Sequence, residues 1–174
     1  MSIHIARPHA DRNTMAVWQF SFGLIPRQPL IDRFGAIPEA RSATDAWDWV
    51  WNEQPPKNYL SVIESFTTAY KSWSSEMRMW GSENGNRLNI AMEADRVVEV
   101  SARLCPREEW ISFAEGIVVL AKHCDWVLSL KGQKLFLPDL NTLTSAVTES
   151  NAMKFCKDPV EFLGGFGSGK YKAE

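Results

Sequence analysis

Between Met77 and Leu104 the chain alternates apolar and polar residues in three successive runs separated by turn residues. A pattern of period two can bury only one face, so it demands a half-exposed sheet and not a helix bundle. Met77 and Met79 alternate with Arg78 and Trp80. After Gly81-Ser82-Glu83-Asn84-Gly85-Asn86, Leu88, Ile90 and Met92 alternate with Arg87, Asn89 and Ala91. Asn-Gly tolerates the positive φ angles of a tight hairpin turn. A second turn at Ala94-Asp95-Arg96 leads to Val98, Val100, Ala102 and Leu104, alternating with Val97, Glu99, Ser101 and Arg103. This is the pattern of a three-strand antiparallel meander.

The flanking segments supply the cover. Trp110, Phe113, Ala114, Ile117, Leu120, Ala121 and Cys124 recur at helical spacing and are expected to lie on the meander's apolar face. Pro106 suits the first turn of that helix, with Glu108 and Glu109 near the positive end of its dipole. Met15–Leu24 is expected as a strand stopped by Pro26 and Pro29, with a short helix near Leu30–Phe34. Ala43–Asn52 is expected as a helix ended by Pro55-Pro56, and Tyr59–Lys71 as an amphipathic helix. Trp126–Leu130 and Lys134–Leu137 follow as strands and Asp139–Ser150 as a helix. Asp158-Pro159-Val160-Glu161 has the form of a capping box. The expectation is one α+β domain over residues 1–163, an antiparallel sheet covered by helices on one face. Residues 164–174 are expected as a flexible glycine-rich tail.

Composition excludes several classes. The 174 residues carry a net charge of -2 and are 45% hydrophobic. A uniformly basic nucleic-acid binder needs concentrated positive charge, so no nucleic-acid partner is expected. The densest aliphatic run, Ile117–Ala121, is too short to cross a bilayer, so no membrane partner is expected. Met1–His9 has no apolar stretch of a secretory signal, and the odd set Cys105, Cys124 and Cys156 does not form a disulfide framework. A cytoplasmic protein with reduced thiols is the expectation.

Chemical motifs are sparse. Gly164–Lys170 matches a phosphate-loop spelling, but Tyr171 stands where a Ser or Thr would bind magnesium, and too few residues follow for a helix. His123-Cys124-Asp125 holds three reactive types, which point in different directions on a helix. His4, His9 and Asp11 lack the spacing of a zinc site. No cofactor, metal or catalytic residue is assigned. The more informative feature is Trp47, Trp49 and Trp51, interleaved with Asp48 and flanked by Asp45 and Glu53. Tryptophan combines a large apolar area with one polar N–H and is enriched at interfaces, whereas the acidic rim would favour a basic partner. The same three residues could instead form a small core under the proline-rich loop.

Ser72-Trp73-Ser74-Ser75-Glu76-Met77-Arg78-Met79-Trp80-Gly81 with Gly85-Asn86-Arg87, and later Ser150–Phe155 with Asp158-Pro159 and Phe162-Leu163, resemble segments of small cytosolic bacterial proteins of unassigned function. The general build is similar to that of immunity proteins that neutralise polymorphic toxins. That resemblance implies a non-catalytic protein-binding module that occludes a basic toxin domain sterically and electrostatically. Asp45, Trp47, Asp48, Trp49, Trp51 and Glu53 would form the contact surface. The polar sheet face carrying Arg78, Trp80 and Arg87, with Asn89, Glu99 and Arg103, is a second candidate. The alternative is a small enzyme with a dispersed site around His123 and Cys124.

Overall fold

Among the described residues seven antiparallel strands form one sheet, in the order β2-β3-β4-β5-β1-β6-β7. A computed structural model describes residues 17–41, 47–130 and 134–167. The strands are β1 (Phe20–Pro26), β2 (Ala69–Tyr70), β3 (Met77–Gly81), β4 (Arg87–Glu93), β5 (Arg96–Leu104), β6 (Trp126–Ser129) and β7 (Leu135–Phe136). The helices are α1 (Gln28–Phe34), α2 (Tyr59–Glu64), α3 (Ile111–His123), α4 (Leu140–Glu149), α5 (Asn151–Lys157) and α6 (Pro159–Gly167). A 3-10 helix spans Asp48–Asn52. The expected α+β class is present, with β3, β4 and β5 as the meander.

The N-terminal strand β1 lies between β5 and β6 and is antiparallel to both. β5 and β6 are therefore parallel to each other, and α3 connects them across the sheet. Its Ala114, Ile117, Leu120 and Ala121 share one core with Phe20, Phe22 and Leu24 of β1, Leu88 and Ile90 of β4, and Val100, Ala102 and Leu104 of β5. The opposite face carries Ser21, Gly23, Arg87, Asn89, Ser101 and Arg103, which pair across β1, β5 and β4. The sequence alternation thus sorts by face over most of the sheet.

Strand β3 reverses the expected parity. Trp80 stands opposite Leu88 and Arg78 opposite Ile90, so these two share the helix-covered face. Met79 stands opposite Asn89, on the other face. The expected grouping of Arg78 and Trp80 with Arg87 on one polar face is corrected: register, set by the pairing to β4, decides which side each residue takes. A second correction lies in β5. A register shift between Ala91 and Met92 turns Val97 inward, 2% exposed, and leaves Val98 half-buried.

The two turns also differ. Ala94 and Asp95 have φ of 46° and 63°, between Glu93 and Arg96, which pair. That is the geometry of a tight two-residue hairpin. The β3–β4 connection is longer, over residues 82–86, and its positive φ falls on Gly81 (99°). A Cβ there would fall 2.3 Å from the Asn86 carbonyl oxygen. Arg103 holds this loop by donating to the carbonyls of Ser82, Glu83 and Gly85, and the Asn86 amide bonds Cys105 N–H and Glu109 O.

Several helix bounds depart from expectation. α3 begins at Ile111, after a turn in which Glu108 N–H donates to Cys105 O, so Pro106 lies outside it. α2 ends at Glu64, and Phe66 packs as a separate plug against α3. Asp139 caps α4, accepting Thr142 N–H at 2.7 Å, and Asp158 caps α6, accepting Glu161 N–H at 2.8 Å. α6 continues to Gly167, so the first residues of the glycine run are helical and do not start the tail. The expected helix over 43–52 is replaced by the 3-10 helix, and residues 42–46 lie outside the described residues.

Candidate functional site

The β1–β5 pairing ends at Leu24 and Val100, while β1 continues to Pro26 and β5 begins at Arg96. The strands part there, and the edge of β5 loses a neighbour. Gln54 takes its place. Its amide oxygen accepts Val97 N–H at 2.7 Å and its amide nitrogen donates to Val97 O at 3.1 Å. One side chain thus satisfies both backbone groups of a buried strand residue, as a neighbouring strand would. This bond pair, with Arg96 donating to the Trp51 and Asn52 carbonyls, anchors the 3-10 helix at the opening.

The three tryptophans diverge from that anchor. Trp51 is 7% exposed and meets Trp126 edge to face, 5.7 Å between ring centroids. Trp47 is 5% exposed, with Val50 beside it in the core. Trp49 is half-buried and packs against the edge of the core. Trp47 and Trp49 stack on each other at 5.8 Å, and Phe34 of α1 joins both at 6.2 and 6.1 Å. Phe34 is itself 51% exposed. Arg33 lies over the Trp49 ring at 4.5 Å and Arg41 over the Trp47 ring at 5.5 Å.

Two clefts border this cluster. One, of about 450 Å³, lies where β1 and β5 part, between Trp47 and Trp51 on one side and Gly23 and Glu99 on the other. The second, of about 490 Å³, is lined by Pro29, Asp32, Arg33, Trp49, Asn52 and Glu53. Asp48 and Glu53 are exposed, as expected. Asp45 lies outside the described residues. The rim therefore holds both charge signs, since Arg33 and Arg41 come from segments before the acidic stretch. Sequence reading missed Phe34, Arg33 and Arg41: the turn from β1 into α1 brings Phe34 and Arg33 to the tryptophans, and the segment after α1 brings Arg41.

The second expected surface does not form one patch. Trp80 is 4% exposed in the core. Arg78 is exposed on the same face, near Tyr59, whose hydroxyl pKa burial raises and the Arg78 charge partly lowers. Arg87 stands on the other face, directly opposite Arg103, and donates to the Tyr70 hydroxyl at 3.2 Å. Burial, and then the adjacent Arg87 charge, hold Arg103 below the ordinary guanidinium pKa. With its donors on loop carbonyls and Gln19, Arg103 organises structure.

His123 closes α3 and its Nε2 lies 2.9 Å from Asn58 Oδ1. Cys124, next along, is 9% exposed, and burial pushes its thiol pKa up to about 12. A thiol so held is protonated at neutral pH and is a poor nucleophile. His4, His9 and Asp11 lie outside the described residues. Among the described residues no group of three His, Cys, Asp or Glu could hold a metal ion. No helix among the described residues is long and apolar enough to cross a membrane. No family model, curated protein or solved structure matches the chain.

Proposed function

We propose that the chain is a non-catalytic protein-binding module whose contact surface is built on Phe34 and Trp49, backed by buried Trp47. The observation that carries this reading is exposed Phe34 beside half-buried Trp49, with Arg33 lying over Trp49. Aromatic residues and arginine dominate the energetics of protein interfaces, because they desolvate large area around a few polar contacts. The cluster is also preorganised. Trp47 and Trp51 root the 3-10 helix in the core, so little side-chain freedom remains to be lost on binding. In its most specific form the partner is a basic bacterial toxin domain and the chain a cytoplasmic immunity protein. Asp48 and Glu53 would then meet basic groups while the aromatic rings cover the toxin's site.

Purified chain and captured partner provide the test. Phe34→Ala and Trp49→Ala should each weaken binding by about 2 kcal/mol, roughly 30-fold in Kd. Melting temperatures should stay near that of the parent chain. Unchanged affinity in both variants refutes the reading. The toxin form has its own readout, since co-expression of the chain should restore growth to cells producing the partner.

A further inference from the structure

A far more exposed tryptophan than Trp49 lies in a different segment. Trp73 sits at the tip between β2 and β3 and is 83% exposed. The tip is ordered by its serines: Ser74 N–H donates to Ser72 Oγ at 3.2 Å and Glu76 N–H to Ser74 Oγ at 3.1 Å. These are turn-forming bonds of the kind serine supplies, so the indole is displayed on fixed backbone.

Topology brings this tip to the same end of the sheet as the Trp49 cluster. Met92 N–H donates to Glu76 O at 2.7 Å, which ties the tip to the end of β4. β4 ends at Glu93, which pairs with Arg96 across the Ala94-Asp95 turn. Arg96 donates to the carbonyls of Trp51 and Asn52, and Val97 bonds Gln54. A line of hydrogen bonds, backbone along the strands and through the Arg96 and Gln54 side chains at its end, therefore joins the Trp73 tip to the 3-10 helix. β3 lies two strands from β5, about 10 Å at ~4.8 Å per strand. Along this strip Glu53, Glu76, Glu93 and Asp95 are exposed, and none makes an ion pair among the described residues. Arg96 keeps its positive charge while donating to carbonyls, so four carboxylates stand against one cation on the strip itself; Lys71, just after β2, and Arg78 of β3 flank the tip.

We infer that this end of the sheet is a single docking face for a basic protein, held by Trp73 on one side and by Trp49 with Phe34 on the other. The inference rests on the reading that the Trp49 cluster binds a protein. It adds the second anchor and the charge of the surface between them. Two separated aromatic anchors with carboxylates between them match a partner carrying Lys or Arg between two apolar pockets.

The test uses the full chain in its cells of origin, with the photo-cross-linker p-benzoylphenylalanine in place of Phe34, Trp73 or Val160. Val160 is the control: it is 82% exposed, on α6, at the other end of the sheet, where Phe155 meets Trp18. The expected result is one protease-sensitive product of the same basic protein from positions 34 and 73, and none of it from 160. With that protein purified, Trp73→Ser should weaken binding at least tenfold. Glu93→Gln with Asp95→Asn should lower the association rate and its salt dependence. A product from position 34 alone, or full affinity in Trp73→Ser, overturns the inference and leaves the Trp49 reading standing. No product from either position overturns both, and a nuclease-sensitive product from position 73 overturns the protein partner.

Discussion

Phe66 occupies the space that a side chain on Gly116 would need. A Cβ at Gly116 would fall 2.2 Å from Phe66 Cγ, and the same ring meets Phe113 edge to face at 5.6 Å. Glycine in the middle of α3 lowers helix propensity, yet it lets the chain following α2 dock against the helix. Gly116→Ala should therefore destabilise the fold by about 1–3 kcal/mol through overpacking, against a helix-propensity gain of about 1 kcal/mol. Phe66→Leu in the Gly116→Ala background should recover part of the loss. Urea unfolding of the single and double variants checks this, and additive losses would refute the contact.

Gln54 is the least replaceable polar side chain at the strand opening. Gln54→Ala leaves the N–H and C=O of Val97 without their partner, at a cost of about 1–3 kcal/mol. Gln54→Glu keeps the acceptor and loses the donor, so it should fall between Ala and the parent chain. Amide exchange at Val97 gives a local readout, since its protection should drop in Gln54→Ala and persist in Gln54→Glu, which still accepts from the Val97 N–H. Unchanged protection in Gln54→Ala would mean that Val97 finds another partner.

The three tryptophans should separate into two classes. Trp47→Ala and Trp51→Ala remove buried rings and should cost about 3–5 kcal/mol of stability. Trp49→Ala should leave thermal unfolding nearly unchanged and act on partner binding. Melting temperature and Kd measured on the same three proteins decide the matter. A large stability loss in Trp49→Ala would place that ring in the core as well.

Cys124 should make stability fall on the alkaline side. Its pKa rises from 9.0 to about 12 on folding because burial penalises the thiolate. The folded state thus binds the proton more tightly than the unfolded chain. The contribution is fully present below pH 9 and is lost as pH rises through 9 towards 12. Cys124→Ala should flatten the decline in unfolding free energy over that window. Native-state thiol labelling at pH 8 should be slow at Cys124 and faster at the half-buried Cys156. Rapid labelling of Cys124 would contradict its burial.

How much of this was legible in the sequence depends on how local each determinant is. The meander, the α3 stripe and the Asp158 cap follow from alternation, helical spacing and side-chain-to-backbone bonds within a few residues, and these were legible; the Asp139 cap came from the structure. The turn chemistry was half legible. Ala94-Asp95 formed a tight turn where expected. Asn84-Gly85 did not, because Arg103 from β5, and Asn86 within the loop bonding Cys105, draw it into a wider shape. The β3 parity could not be read either, since Met and Trp are both apolar and only the register to β4 decides which faces the helices. At the candidate site the Trp47–Trp51 segment stood out by composition, but burial divided it, and α1 contributed Phe34 and Arg33 from outside. The turn around Trp73 was not read from its serines, whose side-chain bonds and the exposure of the ring appear only in the structure.

Sequence alone determined the class of this protein: period-two alternation commits the chain to an antiparallel sheet with one buried face, and one apolar helical stripe commits a helix to cover it. Only the tertiary structure decided where the anchors stand. That the β1–β5 pairing stops at Leu24, leaving Val97 to Gln54 and a place for the 3-10 helix, depends on contacts between residues more than forty positions apart. Such contacts arise from backbone groups that must be satisfied once buried, a demand that no local pattern of side chains records.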